Sequence, residues 1–313
     1  MHGLLLVDKP KGLTSHDVVA RVRRILKIKR VGHFGTLDPM ATGLLVVAVE
    51  RATRLFPFFL KVPKAYEGQI RLGFPTDTYD AEGKPLSAPC LNLPDRESLI
   101  RAMKALEGRI NQTSPPFSAK KLRGRRMYEL AREGKEVERR VSSVEVYAFQ
   151  LKAYHPPFVA FTAECSSGTY VRSLAHDLGQ RLGCGAHLSA LRRTAVGDFR
   201  IQDACKLEEL ENQVRSGNIG ARLVPIENLF LDYPSLIIRR ECVSLVKDGN
   251  DIGPRAVLRA LPPEKPVSCL QQKEEGLVRI LDPNGHLLAM ARKIPAKPSY
   301  HPFLLLDIPP RGT

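Results

Sequence analysis

The 313-residue sequence is short of acid: 33 Asp and Glu stand against 48 Lys and Arg, leaving a net charge of +15 and a pI near 9.7. A surface so poor in negative charge points to a polyanionic partner, nucleic acid first. The blander reading of the same numbers is a basic soluble protein. Long hydrophobic runs are also missing. No stretch of about 18 uncharged apolar residues occurs, which excludes a membrane-spanning helix. Met1 to Asp8 shows neither a basic leader nor a small-residue cleavage site, so the chain reads as one without a secretory signal. The six cysteines (Cys90, Cys165, Cys184, Cys205, Cys242, Cys269) contain no C-x-x-C pair, which argues against a zinc ribbon or a redox motif. They suit the free thiols of a cytoplasmic protein. There is no H-E-x-x-H, no G-x-x-x-x-G-K-[ST] and no strand-linked G-x-G-x-x-G, so no metal, ATP or dinucleotide cofactor is expected.

What is present organises into alternating strands and helices. Leu4 to Val7 is a short buried-strand signal closed by Lys9-Pro10-Lys11-Gly12. Ser15 is the expected N-cap of a helix with Val18, Val19, Val22, Ile25 and Leu26 on one stripe. Its other side is basic: Arg21, Arg23, Arg24 and Lys27, then Lys29 and Arg30, with no acid among them. Such an edge serves either solubility or phosphate contact. Leu44 to Val49 reads as a second buried strand, and Tyr66 to Phe74 alternates with period two. Helices are expected over Ser98–Leu106 and Thr169–Leu182, and strands over 144–151 and 158–165. Gln112 to Arg126 combines Pro115-Pro116 with five cations, Lys120, Lys121, Arg123, Arg125 and Arg126, and a helix is expected at Tyr128–Arg132. Strands and helices mix without repeating βα units, so the class is α+β. After about residue 232 the runs become short and β-like. The domains are read as 1–232, with an insert at about 112–134, and 233–313. Both parts are net positive, so both can lie along one polyanion.

With no cofactor motif, chemistry must come from side chains. Asp38 leads, in a glycine-flanked loop beside a buried strand, with Pro39 fixing the backbone after it. Taken alone, an Asp-Pro pair is in most cases a turn or helix cap. Its surroundings change that. Gly32-His33-Phe34-Gly35-Thr36-Leu37-Asp38-Pro39-Met40-Ala41-Thr42-Gly43 closely resembles the signature of bacterial tRNA pseudouridine-55 synthases, the TruB family. Asp8-Lys9-Pro10-Lys11-Gly12, Lys64-Ala65-Tyr66, Thr76-Asp77-Thr78-Tyr79-Asp80, Gln112-Thr113-Ser114-Pro115-Pro116, Gly168-Thr169-Tyr170-Val171-Arg172 and Leu191-Arg192-Arg193-Thr194 are similar to further motifs of that family, in family order. One departure is Phe117, where the family usually has Tyr.

The resemblance implies a mixed, mostly antiparallel sheet flanked by helices and loops, followed by a small β-barrel PUA-like RNA-binding domain. It implies isomerisation of a uridine in the T-loop of tRNA, flipped from its stack at a cost of a few kcal/mol. Atoms in equal atoms out, so no cofactor is implied. By resemblance Asp38 is the catalytic aspartate and Arg172 its cationic partner, with Tyr66 as a third catalytic group. Tyr66 and Tyr170 contact the uracil, Leu191 is an apolar wall, and His33 enters the vacated stack or props the loop open. Lys9 stays open between a structural role and phosphate contact. It is grouped with Lys120, Lys121, Arg123, Arg125 and Arg126 as a candidate RNA-backbone contact. The implied partner is tRNA through its T-stem-loop, with no membrane, no obligate protein partner and a monomeric state. Two alternatives remain: an RNA chaperone without turnover, and a guide-dependent synthase acting on ribosomal RNA.

Overall fold

A computed structural model of the chain describes residues 2–116, 121–122, 125–126, 141–264 and 275–306. Strands β1 to β6 are Gly3–Lys9, Val31–His33, Thr42–Val49, Lys64–Leu72, Gly108–Thr113 and Lys121–Leu122. Strands β7 to β12 are Arg125–Arg126, Val141–His155, Phe158–Cys165, Ala186–Val196, Phe199–Arg200 and Leu223–Val224. The last five, β13 to β17, are Ser235–Ile238, Val257–Leu261, Leu277–Leu281, Leu287–Lys293 and Tyr300–Leu305. Helices α1 to α6 are Ser15–Leu26, Phe56–Phe59, Arg96–Lys104, Val171–Arg181, Leu207–Arg215 and Val243–Lys247. The expected helix at 128–132 lies outside the described residues.

Strands β1 and β3 are apolar at nearly every position because both their faces are covered. Leu4, Leu6, Leu44, Val46 and Ala48 face one core. Leu5, Val7, Leu45, Val47 and Val49 face another, capped by Val18, Val19 and Val22 of α1 and Leu207 and Leu210 of α5. Burying each such side chain is worth on the order of 1.5–3 kcal/mol relative to exposure. Strand β4 is covered on one face only, so it alternates: Tyr66, Ile70 and Leu72 enter a third core with α3 and α4.

Ten strands form one sheet in the order β12-β1-β3-β10-β4-β9-β8-β5, with β2 beside β3 and β11 beside β10. The pairing of β3 with β10 is parallel; the neighbouring pairings are antiparallel. This is the α+β, mostly antiparallel sheet that the sequence led one to expect. The five C-terminal strands pair as β14-β13-β15-β16-β17. Among the described residues this is an open path, not the expected barrel. Its apolar face is covered by the large sheet: Leu277, Leu281, Leu287, Met290 and Leu304 share one core with Leu4, Leu44 and Val46.

Two local expectations shift. The N-cap of α1 is Thr14, which forms a capping box with Asp17, and not Ser15. Ser15 is buried one position inside the helix, its hydroxyl donating to Leu37 O and accepting from Leu37 N at 3.1 and 2.8 Å. Helix α4 starts at Val171, with Tyr170 as its cap residue.

The parallel contact of β3 with β10 requires glycine at 43. Gly43 has φ of +102°, and a Cβ there would lie 2.3 Å from the Arg193 carbonyl oxygen. Gly43→Ala is expected to cost on the order of 2–4 kcal/mol. Denaturant unfolding measures it, and wild-type stability would show that the two strands can separate without loss.

Candidate active site

Asp38 lies on the loop between β2 and β3, Arg172 on the first turn of α4, and Asp80 on the loop after β4. The sheet order brings these three distant segments together. Arg172 Nη2 donates to Asp38 Oδ1 at 3.1 Å, and its Nε sits 2.9 Å from Asp38 Oδ2. On its other side Nη1 donates to Thr78 O at 3.1 Å and lies 3.3 Å from Asp80 Oδ2. One guanidinium therefore bridges two carboxylates. Asp80 is itself held, its Oδ1 accepting from Thr78 Oγ1 at 2.6 Å and from the Glu82 N–H at 3.0 Å. The Arg172 side chain is 6% exposed and that of Asp80 5%, whereas Asp38 keeps 34%. Of the three, Asp38 is the one open to a ligand.

The loop carrying Asp38 is anchored on both sides. Ser15 holds Leu37. Lys9 is fully buried, its Nζ donating to the carbonyls of Pro10, Leu13 and Pro39, and the Gly12 N–H also donates to Pro39 O. Upstream, fully buried Arg193 donates from Nη2 to Gly35 O at 3.0 Å and from Nε to Leu44 O at 2.7 Å. Its charge also acts on the Tyr66 hydroxyl.

A cavity of about 310 Å³ opens at this loop, lined by Asp38, Lys64, Tyr66, Tyr170, Arg172, Leu191 and Arg193 among others. Five of the six residues that the sequence assigns to catalysis or base contact thus share one wall: Asp38, Tyr66, Arg172, Tyr170 and Leu191. Burial pushes the Tyr66 phenol up to about 12, the Arg193 charge working against that shift, so the hydroxyl keeps its proton. Tyr170 is positioned through its backbone, donating to Gln112 Oε1 at 2.7 Å and accepting from Gln112 Nε2 at 3.1 Å.

His33 does not line this cavity. It ends β2, half-buried, and burial followed by the Arg193 charge pushes it down to about 4, so its ring is neutral at physiological pH. Lys9 takes the structural side of its open alternative, since carbonyls use all three of its donors. Lys120 and Arg123 lie outside the described residues. Lys121, Arg125 and Arg126 lie on the two strands of a hairpin, β6 with β7. In the basic edge of α1, Arg21 is spent within the fold, 3.5 Å from Glu208 and 3.3 Å from Glu211 of α5, and Arg23 donates to Val31 O. Arg24, Lys27, Lys29 and Arg30 remain exposed.

Sequence reasoning passed over Asp80, Lys64 and Arg193. All three sit inside quoted motifs, so the signal was at hand, but charged residues in a polar turn or on a strand read as surface. A larger groove of about 430 Å³ between β5 and α4 holds Asp177, pushed up to about 6 by burial, yet among the described residues that line it none is aromatic, so it offers no ring against which a base could stack.

The bridge predicts a role for Asp80 at a distance from the ligand. Asp80→Asn should leave RNA affinity within a few-fold and lower turnover roughly 10- to 100-fold, because Arg172 loses one of its two fixed orientations. Single-turnover rates and filter binding check this; wild-type turnover would remove Asp80 from the account.

Residues 23–171 match the model for the TruB family pseudouridylate synthase N-terminal domain, and residues 172–230 that for the tRNA pseudouridylate synthase B C-terminal domain. The strands β13 to β17 lie beyond both matches. The chain is 43% identical over 270 residues to tRNA pseudouridine synthase B of Solibacter usitatus (strain Ellin6076), covering 86% of this chain and 92% of that protein. Against tRNA pseudouridine synthase B of Geobacillus thermodenitrificans (strain NG80-2) the identity is 41% over 305 residues, covering 95% and 97%. Among solved structures, a chain of a Cbf5-Nop10-Gar1 complex superposes with a TM-score of 0.72 at 27% identity, covering 98% of this chain and 85% of that one. A chain of an H/ACA RNP bound to a substrate RNA containing 2'-deoxyuridine gives 0.71 at 26%, covering 97% and 85%. With the two domain matches end to end and curated relatives aligned over most of their length, the chain belongs to the TruB family of pseudouridylate synthases.

Proposed function

We propose that this chain converts uridine to pseudouridine in tRNA, at position 55 in the T-loop, using Asp38 as the group that acts on the sugar. One observation carries the reading: a carboxylate gripped by a buried guanidinium, on the wall of a cavity shared with two tyrosines and an apolar side chain. A uridine extruded from its stack loses base pairing and stacking worth a few kcal/mol. Tyr66 and Tyr170 offer rings for the flipped base, and Leu191 a dry wall. Arg172 orients Asp38 and keeps its charge compensated until the ribose arrives.

In this mechanism the bond from the ribose C1′ to uracil N1 breaks. Asp38 either bonds to C1′ or removes the proton at C2′. The base turns and its C5 bonds to C1′ as the Asp38 ester bond breaks or the proton returns to C2′; the C5 proton then leaves and N1 gains one. Substrate and product have the same composition, so the reading calls for no cofactor.

Relatives at 39–48% identity carrying the name tRNA pseudouridine synthase B favour tRNA over a guide-dependent substrate. The solved Cbf5 neighbours were determined with other proteins; this chain is read as acting without one, as a monomer. An RNA chaperone would have no use for the Asp38–Arg172 pair. Among the described residues no helix is long and apolar enough to cross a membrane, and a cytoplasmic place fits a tRNA substrate. Residues 233–313 are read as a PUA-like RNA-binding module, with Arg255, Arg259, Arg292 and Lys293 exposed for phosphate contact.

Purified chain incubated with an unmodified T-stem-loop transcript should form pseudouridine. Asp38→Asn should reduce that by at least about 10³-fold while binding stays within a few-fold, as for a group that acts mainly in the transition state. Near-normal turnover in the mutant would sink the assignment. Binding should also weaken steeply with salt, and replacing Arg24, Lys29 and Arg30 with Ala should flatten the slope. An unchanged slope would leave that edge of α1 without a part in binding.

A further inference from the structure

Among the described residues, two buried cations in the cavity wall have no carboxylate in direct ion-pair contact. Asp38 and Asp80 both face Arg172. Lys64 and Arg193 line the same cavity at 6% and 0% exposure, and among the described residues neither has a carboxylate within ion-pair distance. A buried, unpaired ammonium is among the costliest groups a fold can hold.

The two cations are not equivalent. Arg193 spends its donors on Gly35 O, Thr36 O and Leu44 O, so it positions the loop. Among the described residues Lys64 donates to a single carbonyl, Val62 O at 3.0 Å. Lys9 makes the contrast, with three carbonyls for three protons. Lys64 therefore keeps donors for something that enters the cavity.

The reaction supplies a matching anion. When the C1′–N1 bond breaks, its electron pair stays on the uracil, which carries one negative charge spread over N1, O2 and O4. The sugar is left bonded to an Asp38 oxygen, or as a glycal after Asp38 has taken the C2′ proton. Attack of C5 on C1′ breaks the Asp38 ester bond, or goes with return of the proton from Asp38 to C2′ of the glycal. Either way the charge returns to the Asp38 carboxylate, the C5 proton departs and N1 gains one, so nothing is added or lost. Arg172 is already neutralised by its carboxylates, which leaves the departing base without a partner of opposite charge among the groups assigned so far.

We propose that the Lys64 ammonium, with Arg193 behind it, stabilises the uracil anion formed when the glycosidic bond breaks. This rests on the pseudouridine-synthase reading above. Preorganised charge aimed where charge develops is worth more in a dry site than in water, and removing one such donor costs about 10²- to 10³-fold in rate.

Ionisation of Lys64 gives the proposal a pH signature. Burial first, and the Arg193 charge second, push Lys64 down to about 8. The groups around it are Arg193 on β10, the Cys165 thiol on β9, Tyr66 on its own strand, and the Asp38–Arg172 pair across the cavity. Cys165 is pushed up to about 11 and Tyr66 to about 12 by burial, so both titrate above Lys64. Below about 8 Lys64 is charged and active in this role; above it the charge is lost.

The experiment is single-turnover conversion of an unmodified T-stem-loop by the full chain, with RNA affinity and kcat/KM measured from about pH 7 to about pH 9.5. Lys64→Met should lower the single-turnover rate about 10²- to 10³-fold with affinity within about threefold. Lys64→Arg should retain most of the rate and lose the alkaline fall seen in wild type. A Lys64→Met rate within about threefold of wild type at saturating RNA, or a loss confined to affinity as a phosphate contact would give, overturns the proposal. If Lys64→Met does not fold, wild type and Lys64→Arg decide it: no alkaline fall in wild type, or the same fall in both, also overturns it. Wild type failing to convert the RNA at all would instead defeat the function reading itself.

Discussion

One guanidinium shared between two carboxylates holds the site together. Buried charges are tolerated only when their partners are fixed and their remaining donors are used. Arg172 meets both conditions by spanning Asp38, Thr78 O and Asp80, which belong to segments more than 30 residues apart in the chain. The large sheet has to run β3-β10-β4 for those segments to meet, because β3 leads out of the Asp38 loop and β4 leads into the Asp80 loop. In that sense the topology serves the charge bridge.

Anchoring of the Asp38 loop follows the same logic with cations in place of acids. Lys9 and Arg193 are fully buried, and both direct their protons at backbone carbonyls of the loop or of its flanks. A loop carries carbonyls that no strand satisfies, and a buried cation can satisfy several at once. Two such clamps, with Ser15 between them, leave the backbone around Asp38 little freedom to drift. The role proposed for Asp38 needs its carboxylate held within about 0.5 Å of a productive position, and that rigidity serves it.

Much of this was legible in the sequence, and what was missed has a common physical cause. The period-two pattern of Tyr66, Ile70 and Leu72 and the stripe of Val18, Val19 and Val22 report burial directly, so β4 and α1 were readable. Asp38, Tyr66, Tyr170, Arg172 and Leu191 were reached through their motifs, and they do share a cavity. Ser15 was misjudged because Thr14 and Ser15 are equally good caps by composition; only the Asp17 carboxylate, reaching back to Thr14, decides between them. Lys64, Arg193 and Asp80 were passed over because a charged residue announces solvent unless its partner is known. Their partners lie far along the chain or are backbone carbonyls, which composition does not reveal. Arg21 is the mirror case: a residue read as free positive surface is tied to Glu208 and Glu211 about 190 positions away.

The C-terminal sheet raises the question of where the catalytic unit ends. A composition change near residue 232 suggests a separable module, yet its apolar side is closed by the strands that frame the site. Phe58 stacks with Phe303 and meets Phe230, and Arg54 Nη1 donates to Leu305 O at 2.6 Å. The core that joins Leu277 and Leu304 to Leu4 and Leu44 is one face of β1 and β3, and it also takes in Phe34, four residues before Asp38. An RNA held by both parts would therefore be gripped by a single packed body, not by two domains on a tether. Rigid coupling of this kind lets contacts far from the uridine contribute to orienting it, since the geometry is set before binding and little ordering entropy is left to lose.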